Sequence, residues 1–135
     1  MKNIIGIHGI SIDTNKKLLL VKKENLWILP GGKLEPHETN VECLVREITE
    51  ELPFCTLLIG DLYNIFFGIT PHTKREIKEI TYLVKITGDI SPNPYPLEKI
   101  KEAKYFSKRE LLKIRSDISE MTQKIISHLS CRGYL

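Results

Sequence analysis

The stretch that decides the fold runs from Gly31 to Phe54 and reads Gly-Gly-Lys-Leu-Glu-Pro-His-Glu-Thr-Asn-Val-Glu-Cys-Leu-Val-Arg-Glu-Ile-Thr-Glu-Glu-Leu-Pro-Phe. In its second half apolar residues recur at helical spacing, so at about 100° per residue they fall on one side of a helix. Those residues are Val41, Leu44, Val45, Ile48 and Leu52. Thr39 followed by Glu42 fits a capping box and predicts where the helix starts. Leu52 precedes a proline and is biased out of the α region, so we expect the helix to stop at about Glu51.

Three glutamates of this predicted helix, Glu47, Glu50 and Glu51, occur at i, i+3 and i+4, so their carboxylates project together from a different side. Like charges within one turn repel, and they lie near the negative end of the helix dipole. A hard divalent cation such as Mg²⁺ would relieve both effects, because it takes oxygen ligands from carboxylates and substrate phosphates. The simpler interpretation is a solvated acidic face, in which Arg46 forms ordinary i, i+4 pairs with Glu42 and Glu50.

The loop before the helix favours the metal-binding interpretation. Gly32, five residues, Glu38, seven residues and then Arg46-Glu47-Ile48-Thr49-Glu50-Glu51-Leu52-Pro53-Phe54 resemble the Nudix box, the motif of the Nudix hydrolases. Pro53 departs from the family pattern, because it stands where the family has a helix-ending glycine and proline cannot adopt a positive φ. The acids lie upstream of Pro53, so we expect the metal site to be intact.

The resemblance implies roles for residues of the box. Glu47, Glu50 and Glu51 would bind Mg²⁺ or Mn²⁺, and the carbonyl of Gly31 is a further possible ligand, since glycine permits close backbone approach. Arg46 would orient Glu50 by charge-assisted hydrogen bonding. Glu38, which also belongs to the family pattern, is expected to order the loop rather than to bind the metal directly.

The general base and the substrate contacts are less well defined by sequence. The base varies within the family, and Glu98 is preferred over Glu102 because it follows the proline-rich loop and is free to swing inward. Either residue could equally be a surface acid. Lys33 is a candidate phosphate contact, although most lysines are simply solvated. Trp27, the only tryptophan, either packs in the core or lines the substrate cleft.

Outside the box the chain alternates strand-like and helix-like segments. Strands are predicted at 4–12, 17–23, 56–69, 79–87 and 103–107, and helices at 108–114 and 116–129. The strands 56–69 and 79–87 are expected to form a hairpin, and the proline-dense segment 91–96 to form a surface loop. The resemblance implies an α/β Nudix fold, with a mixed β-sheet packed between helices as an α-β-α sandwich, in one domain over residues 1–135.

Composition excludes several classes of protein. The 135 residues, 41% hydrophobic and 27% charged, are those of an ordinary soluble globular protein. The net charge of +3 is too mild to indicate a nucleic-acid surface, and no apolar run is long enough to cross a membrane. Three cysteines without Cys-x-x-Cys spacing are most simply free thiols in a reducing compartment. The N-terminal apolar run is broken by His8 and Asp13 and no small-residue cleavage site follows, so we expect no secretion signal and a cytoplasmic location. The histidines show no zinc-site spacing, and no Walker A motif is present.

The function implied by the resemblance is Mg²⁺-dependent cleavage of a phosphoanhydride bond in a nucleoside diphosphate-linked substrate. The substrate would be a (d)NTP, ADP-ribose or a nucleotide sugar, and the sequence does not choose among them. The alternative, motivated by Pro53, is a Nudix-fold module that binds a nucleotide, or regulates, with little or no catalysis. Dimerisation is common in the family, and nothing in the sequence decides whether this chain forms a homodimer.

Overall fold

The computed structural model describes residues 4–70, 73–95 and 100–135. Its strands are β1 (Ile4–Ile10), β2 (Leu18–Lys23), β3 (Leu26–Ile28), β4 (Gly31–Lys33), β5 (Cys55–Ile69), β6 (Glu76–Gly88) and β7 (Ile100–Phe106). Its helices are α1 (Asn40–Glu51), α2 (Lys108–Lys113) and α3 (Glu120–Cys131), with a short 3₁₀ turn at Arg115–Asp117. The predicted elements are therefore confirmed in type and order, with shifts at several ends. Within the described residues, every helix is too short or too polar to cross a membrane.

The strands form two sheets. In the four-stranded sheet the order is β4-β1-β6-β5, with β1 parallel to β6 and the other neighbours antiparallel. The second sheet has the order β3-β2-β7 and is antiparallel throughout. The consecutive strands β5 and β6 pair along their length, which confirms the predicted antiparallel pair. β4 lies at one edge of this sheet, with Gly31 buried and Gly32 partly buried.

Apolar side chains cover both faces of the sheets. On β1, Ile7 packs in a cluster with α1, while Ile10 packs in a second cluster with α3. On β2, Leu19 packs in the cluster with α1 and Leu20 in the cluster with α3. Because successive strand residues point to opposite faces, a strand buried on both sides reads as a continuous apolar run. The sheets therefore lie between α1 and α3, as the sandwich prediction requires.

The ends of α1 follow the local sequence. Thr39 caps the helix, since its hydroxyl accepts the Glu42 N–H at 3.1 Å and the Glu42 carboxylate accepts the Thr39 N–H at 2.9 Å. Leu52 leaves the helical region with φ −129° and ψ 70°. Pro53 then lies in a turn in which the Cys55 N–H donates to the Leu52 carbonyl at 3.3 Å. Proline suits such a turn, so its presence here ends the helix without disturbing the residues before it.

The buried face of α1 differs from the predicted one. Leu44 and Ile48 are fully buried, but Val41 and Val45 are 44% and 42% exposed. Glu51, which was expected to project away from the core, is only 3% exposed. The helix is rotated towards the acid-bearing side, because Glu51 has a backbone partner on β4 and so can be buried without losing hydrogen bonding.

The start of the last helix was also predicted wrongly. α3 begins at Glu120 with Ser119 as its N-cap, not at Ser116. Ile118 is extended and forms a bridge with Trp27, and the Ser119 N–H donates to the Trp27 carbonyl at 3.2 Å. This pairing joins segments about ninety residues apart, so it leaves no mark on the local helical periodicity.

Candidate active site

The glycines of β4 bring strand and helix into close contact. The Gly31 N–H donates to Oε1 of Glu51 at 2.9 Å, which satisfies a buried carboxylate at the end of α1. A Cβ on Gly32 would lie only 2.3 Å from Cδ of Glu47. Gly31 has φ +139°, and a Cβ there would meet the Ile7 carbonyl oxygen at 2.2 Å. Any side chain at either position would therefore displace the carboxylates or the neighbouring strand.

Arg46 organises the carboxylates around it. Its guanidinium donates to both oxygens of Glu38, at 2.7 and 3.0 Å, and to Oε1 of Glu47 at 2.9 Å. Its contact with Glu50, at 3.7 Å, is an ion pair longer than a hydrogen bond. Arg46 therefore forms a hydrogen-bonded clamp on Glu38 and Glu47, while the orientation of Glu50 by Arg46 stays a prediction.

The electrostatics of these acids differ. The hydrogen bond from Arg46 is the main cause that lowers the pKa of Glu38 to about 2, so this loop acid stays ionised. Glu38 also accepts the Glu35 N–H at 3.0 Å, which agrees with its expected loop-ordering role. Burial raises the pKa of Glu47, and the Arg46 guanidinium opposes that rise. Glu47 is thus a partly desolvated carboxylate that an additional cation would stabilise.

The box acids provide the oxygen ligands that Mg²⁺ and Mn²⁺ prefer. In the described part of the chain, however, no three or more His, Cys, Asp or Glu side chains are arranged to hold an ion. The contacts explain this: Glu47 is held by Arg46, Glu51 by the Gly31 N–H, and the Glu50 side chain is 51% exposed. The donor set fits a divalent cation in kind, since two partly or fully buried carboxylates lie against Gly31 and Gly32, which have no side chains. Ligation by Glu47, Glu50, Glu51 and the Gly31 carbonyl stays a prediction.

The proline-rich loop lies against the end of α1. Asn93 donates its backbone N–H to the Glu51 carbonyl at 3.0 Å and its side-chain amide to the Glu50 carbonyl at 2.9 Å. These bonds satisfy helix-terminal carbonyls that have no partner within the helix. They also fix the loop that precedes residues 96–99 beside the box acids. Glu98 itself lies outside the described residues, so its role as general base stays a prediction, whereas Glu102 lies on β7 and pairs with Lys22 at 3.5 Å.

A cleft opens on the face of the sheet that α3 covers and reaches the β4 edge. It consists of a cavity of about 160 Å³ beside α3 and an adjoining one of about 270 Å³ at the glycines. The residues common to both are His8, Lys23, Ile28, Thr70 and Ile77. Lys33, predicted as a substrate contact, lines the part at the glycines. This cleft leads from an apolar interior to the strand edge where the box acids lie.

The structure resolves the alternatives for Trp27 and adds Lys23, which the sequence analysis missed. Trp27 is 8% exposed and packs edge-on against Phe106, with ring centroids 4.8 Å apart, so the core interpretation holds and the predicted substrate contact does not. The reason is strand alternation, since the next residue, Ile28, faces the cleft instead. Lys23 was not predicted, although it lies at the end of a strand shortly before the box, where a cation can reach phosphates.

The cleft also contains a polar pair that sequence reasoning missed. His8 Nδ1 bonds Oε1 of Glu79 across the parallel pair β1 and β6, and Glu79 is 4% exposed. The only sequence signal was His8, a histidine within the otherwise apolar run of β1, and its partner could not be named because the two residues are 71 positions apart.

Comparison with known proteins gives one family and a consistent fold. The chain matches the family described as NUDIX domain over residues 3–125. It is 27% identical over 119 residues to the ADP-ribose pyrophosphatase of Methanocaldococcus jannaschii, covering 84% of this chain and 67% of that protein. It is 34% identical over 67 residues to the 8-oxo-dGTP diphosphatase of Buchnera aphidicola, covering 47% of this chain and 53% of that protein. The match thus spans about half the length of the latter protein.

Among solved structures, the NUDIX hydrolase from Nitrosomonas europaea superposes with a TM-score of 0.81 and 19% sequence identity. The superposition covers 96% of this chain and 90% of that one. An identity this low carries the fold alone. It confirms the predicted α/β architecture of mixed strands between helices.

Proposed function

The chain belongs to the Nudix family, and from this premise we propose that it is a hydrolase using Mg²⁺ or Mn²⁺. Its reaction would be cleavage of a phosphoanhydride bond in a nucleoside diphosphate-linked substrate. The observation that carries the proposal is the packing of Glu47 and Glu51 against the two glycines that begin strand β4, Gly31 and Gly32, at the mouth of a cleft. That arrangement concentrates carboxylate oxygens where the phosphates of a bound nucleotide would leave the cleft.

Different residues of the chain would bind the cation, position its ligands and accept the proton of the attacking water. Glu47, Glu50 and Glu51 would hold the cation, with the Gly31 carbonyl as a further ligand. A bound divalent cation supplies an activated water and neutralises charge on the phosphate oxygens. Arg46 keeps the Glu47 carboxylate in place by a hydrogen bond, and Glu98 is the candidate that takes the proton from the attacking water.

Substrate binding would use the two ends of the cleft differently. Lys23 and Lys33 lie in the part next to the glycines, where ammonium groups can pair with phosphates. The interior beside α3 is lined by Ile28, Leu29 and Met121, which suit an apolar ring rather than a phosphate. A nucleotide bound with its base inside and its phosphates at the strand edge satisfies both.

The substrate class is a (d)NTP or an ADP-ribose-like or nucleotide-sugar diphosphate. The names of the two relatives support these choices, since one is an 8-oxo-dGTP diphosphatase and the other an ADP-ribose pyrophosphatase. The substrates in these two names, 8-oxo-dGTP and ADP-ribose, are both anhydrides of a nucleoside phosphate, and they differ in the group attached beyond the cleaved bond.

The test is chromatographic detection of the nucleoside phosphates formed from dNTPs, ADP-ribose, nucleotide sugars and dinucleoside polyphosphates, with Mg²⁺, with Mn²⁺ and with a chelator. Products are separated directly because cleavage of ADP-ribose or a nucleotide sugar leaves two organic phosphates and no free phosphate or pyrophosphate. We expect turnover of one class that stops when the metal is removed. Turnover unaffected by the chelator would contradict the metal role. Tight nucleotide binding without any product would instead support the alternative, a nucleotide-binding or regulatory module.

A further inference from the structure

The His8–Glu79 pair faces the interior of the cleft. The side chains are 14% and 5% exposed, and both line the cavity of about 160 Å³ beside α3. Burying two polar side chains among apolar ones is unfavourable unless each is bonded. Their mutual bond meets part of that requirement, and the fold positions it by the parallel register of β1 and β6.

The pair leaves hydrogen-bond acceptors facing the cavity. A carboxylate only accepts, so the His8 Nδ1–H donates to Oε1 of Glu79. Among the described residues, no hydrogen bond to Oε2 is present, and none of their fully buried side-chain polar atoms lacks a partner. Oε2 is therefore not fully buried, and because Glu79 lines the cavity, we take this oxygen to face it. A Cβ on Gly6 would lie 3.0 Å from Oε2, and the glycine therefore keeps this oxygen uncrowded.

The surroundings restrict what can meet that carboxylate. Ile28, Leu29, Ile77 and Ile125 are among the lining side chains of the cavity, and the Ser119 and Thr122 hydroxyls that also line it bond each other at 2.8 Å. A flat ring is therefore favoured over a sugar, whose hydroxyl groups would lose their hydrogen bonds here. The ring must also present N–H donors at its edge, because the carboxylate offers only acceptors.

We propose that Glu79, positioned by His8, selects the base of the substrate and that the cleft takes a guanine-type purine nucleotide. Guanine presents two adjacent donors, N1–H and the exocyclic N2 amine, which match the two oxygens of one carboxylate. Adenine places an acceptor beside its amine, and so does cytosine, while thymine flanks its single N–H with acceptors. Because this pocket is part of the cleft of the proposed hydrolase, the inference rests on the proposed function and chooses a substrate class within it.

The first test uses the unmodified protein and avoids turnover. Binding of dGMP, dIMP and dAMP is measured by calorimetry, since monophosphates contain no anhydride bond to cleave. dIMP differs from dGMP only in lacking the exocyclic amine. We expect dGMP to bind about 10- to 100-fold more tightly than either of the others, the effect of one hydrogen bond to a charged group. Equal affinities, or no binding of dGMP, would overturn the proposal.

The second test assigns the preference to the pair. Glu79→Gln replaces one acceptor by a donor at almost unchanged shape, so the dGMP to dIMP ratio should fall to about one. His8→Phe should lower the ratio as well, and His8→Asn, which keeps a donor near Nδ1, should restore part of it. Glu76→Gln, on the same strand but exposed, is the matched control and should keep the full ratio.

An unchanged ratio in Glu79→Gln would show that the carboxylate does not select the base. The outcome also separates this inference from the proposed function. A guanine preference in binding, lost in Glu79→Gln, supports the inference even if no nucleotide is hydrolysed. Hydrolysis without any base preference overturns the inference and leaves the proposed function standing.

Discussion

Gly32 has no Cβ, and the Glu47 carboxylate occupies the space that one would fill. The same strand supplies the Gly31 N–H to Glu51, so two acids of α1 are positioned by residues that lack side chains. Arg46 completes the arrangement from the solvent side by holding Glu47 and Glu38 together. Single substitutions at these positions therefore test how closely the site depends on local geometry.

Gly32→Ala should reduce turnover with little loss of folding. The new Cβ would lie 2.3 Å from Cδ of Glu47, so the carboxylate must move away. A displacement of about 1 Å in a catalytic group can lower the rate about 100-fold. Turnover and the thermal midpoint are measured on the same preparation. Near-native turnover in a folded variant would show that Glu47 need not lie against β4.

Arg46→Lys should lower activity although it keeps the charge. A lysine cannot donate to both oxygens of Glu38 and to Glu47 at once, because it lacks the planar guanidinium. Loss of such a supporting contact typically lowers metal affinity or activity about 10- to 100-fold. Arg109→Lys, at an exposed position on α2, is the matched control. If both variants behave alike, the clamp has no special role.

At the level of elements, α1 is anchored by a narrow buried face. Leu44→Ala should lower the free energy of unfolding by about 2–5 kcal/mol, since it removes a fully buried side chain from a packed cluster. Val45→Ala, its neighbour at 42% exposure, should change stability by no more than about 0.5 kcal/mol. Chemical denaturation of both variants is the measurement. Equal losses of stability in the two variants would mean that Val45 belongs to the buried face of α1, as periodicity alone predicts.

The capping box of α2 makes a pH-dependent contribution to stability. The Ser107 N–H bonds the Glu110 carboxylate, which is the main cause that lowers the pKa of Glu110 to about 2 in the fold, against 4.5 unfolded. A folded pKa below the unfolded one contributes stability above pH 4.5 that is lost as the pH falls towards 2. Glu110→Gln should therefore lower the thermal midpoint most at neutral pH, with the difference shrinking below pH 4.5. A difference independent of pH would contradict this.

Element boundaries were predictable where their cause is local. Thr39, Glu42 and Pro53 bracket α1 within the sequence itself, and the structure has those ends. The start of α3 was not predictable, because it depends on the bridge from Ile118 to Trp27. The exposure of Val45 follows from the burial of Glu51, which needs the Gly31 N–H from another element. Sequence periodicity cannot indicate a partner that only the folded chain supplies.

In the candidate site, too, the residues within one local motif were predictable and those brought together by distant pairing were not. The box acids were found by sequence because their positions follow one motif, while His8 and Glu79 meet only through the pairing of β1 with β6. Lys23 and Asn93 likewise reach the site only in the folded chain.

For the whole molecule, the sheet separates two environments that meet at one edge. The acids of α1 lie on one face, the apolar cleft under α3 lies on the other, and the short strand β4 is the border between them. A substrate with a ring in the cleft and phosphates at β4 would cross that border. Under the proposed function, substrate selection and metal chemistry would therefore lie on different faces, so each could be altered separately.

The central claim is that the carboxylates of α1 make this chain a metal-dependent hydrolase. Its most direct test is the Mg²⁺-dependent turnover of the double variant Glu50→Gln, Glu51→Gln beside the wild type. Glu42→Gln on the same helix serves as control, because glutamine can keep the capping box. We predict a fall of at least about 100- to 1,000-fold in the double variant, the loss of several kcal/mol of charge stabilisation, and near-native turnover in the control. Normal turnover by the folded double variant would contradict the account.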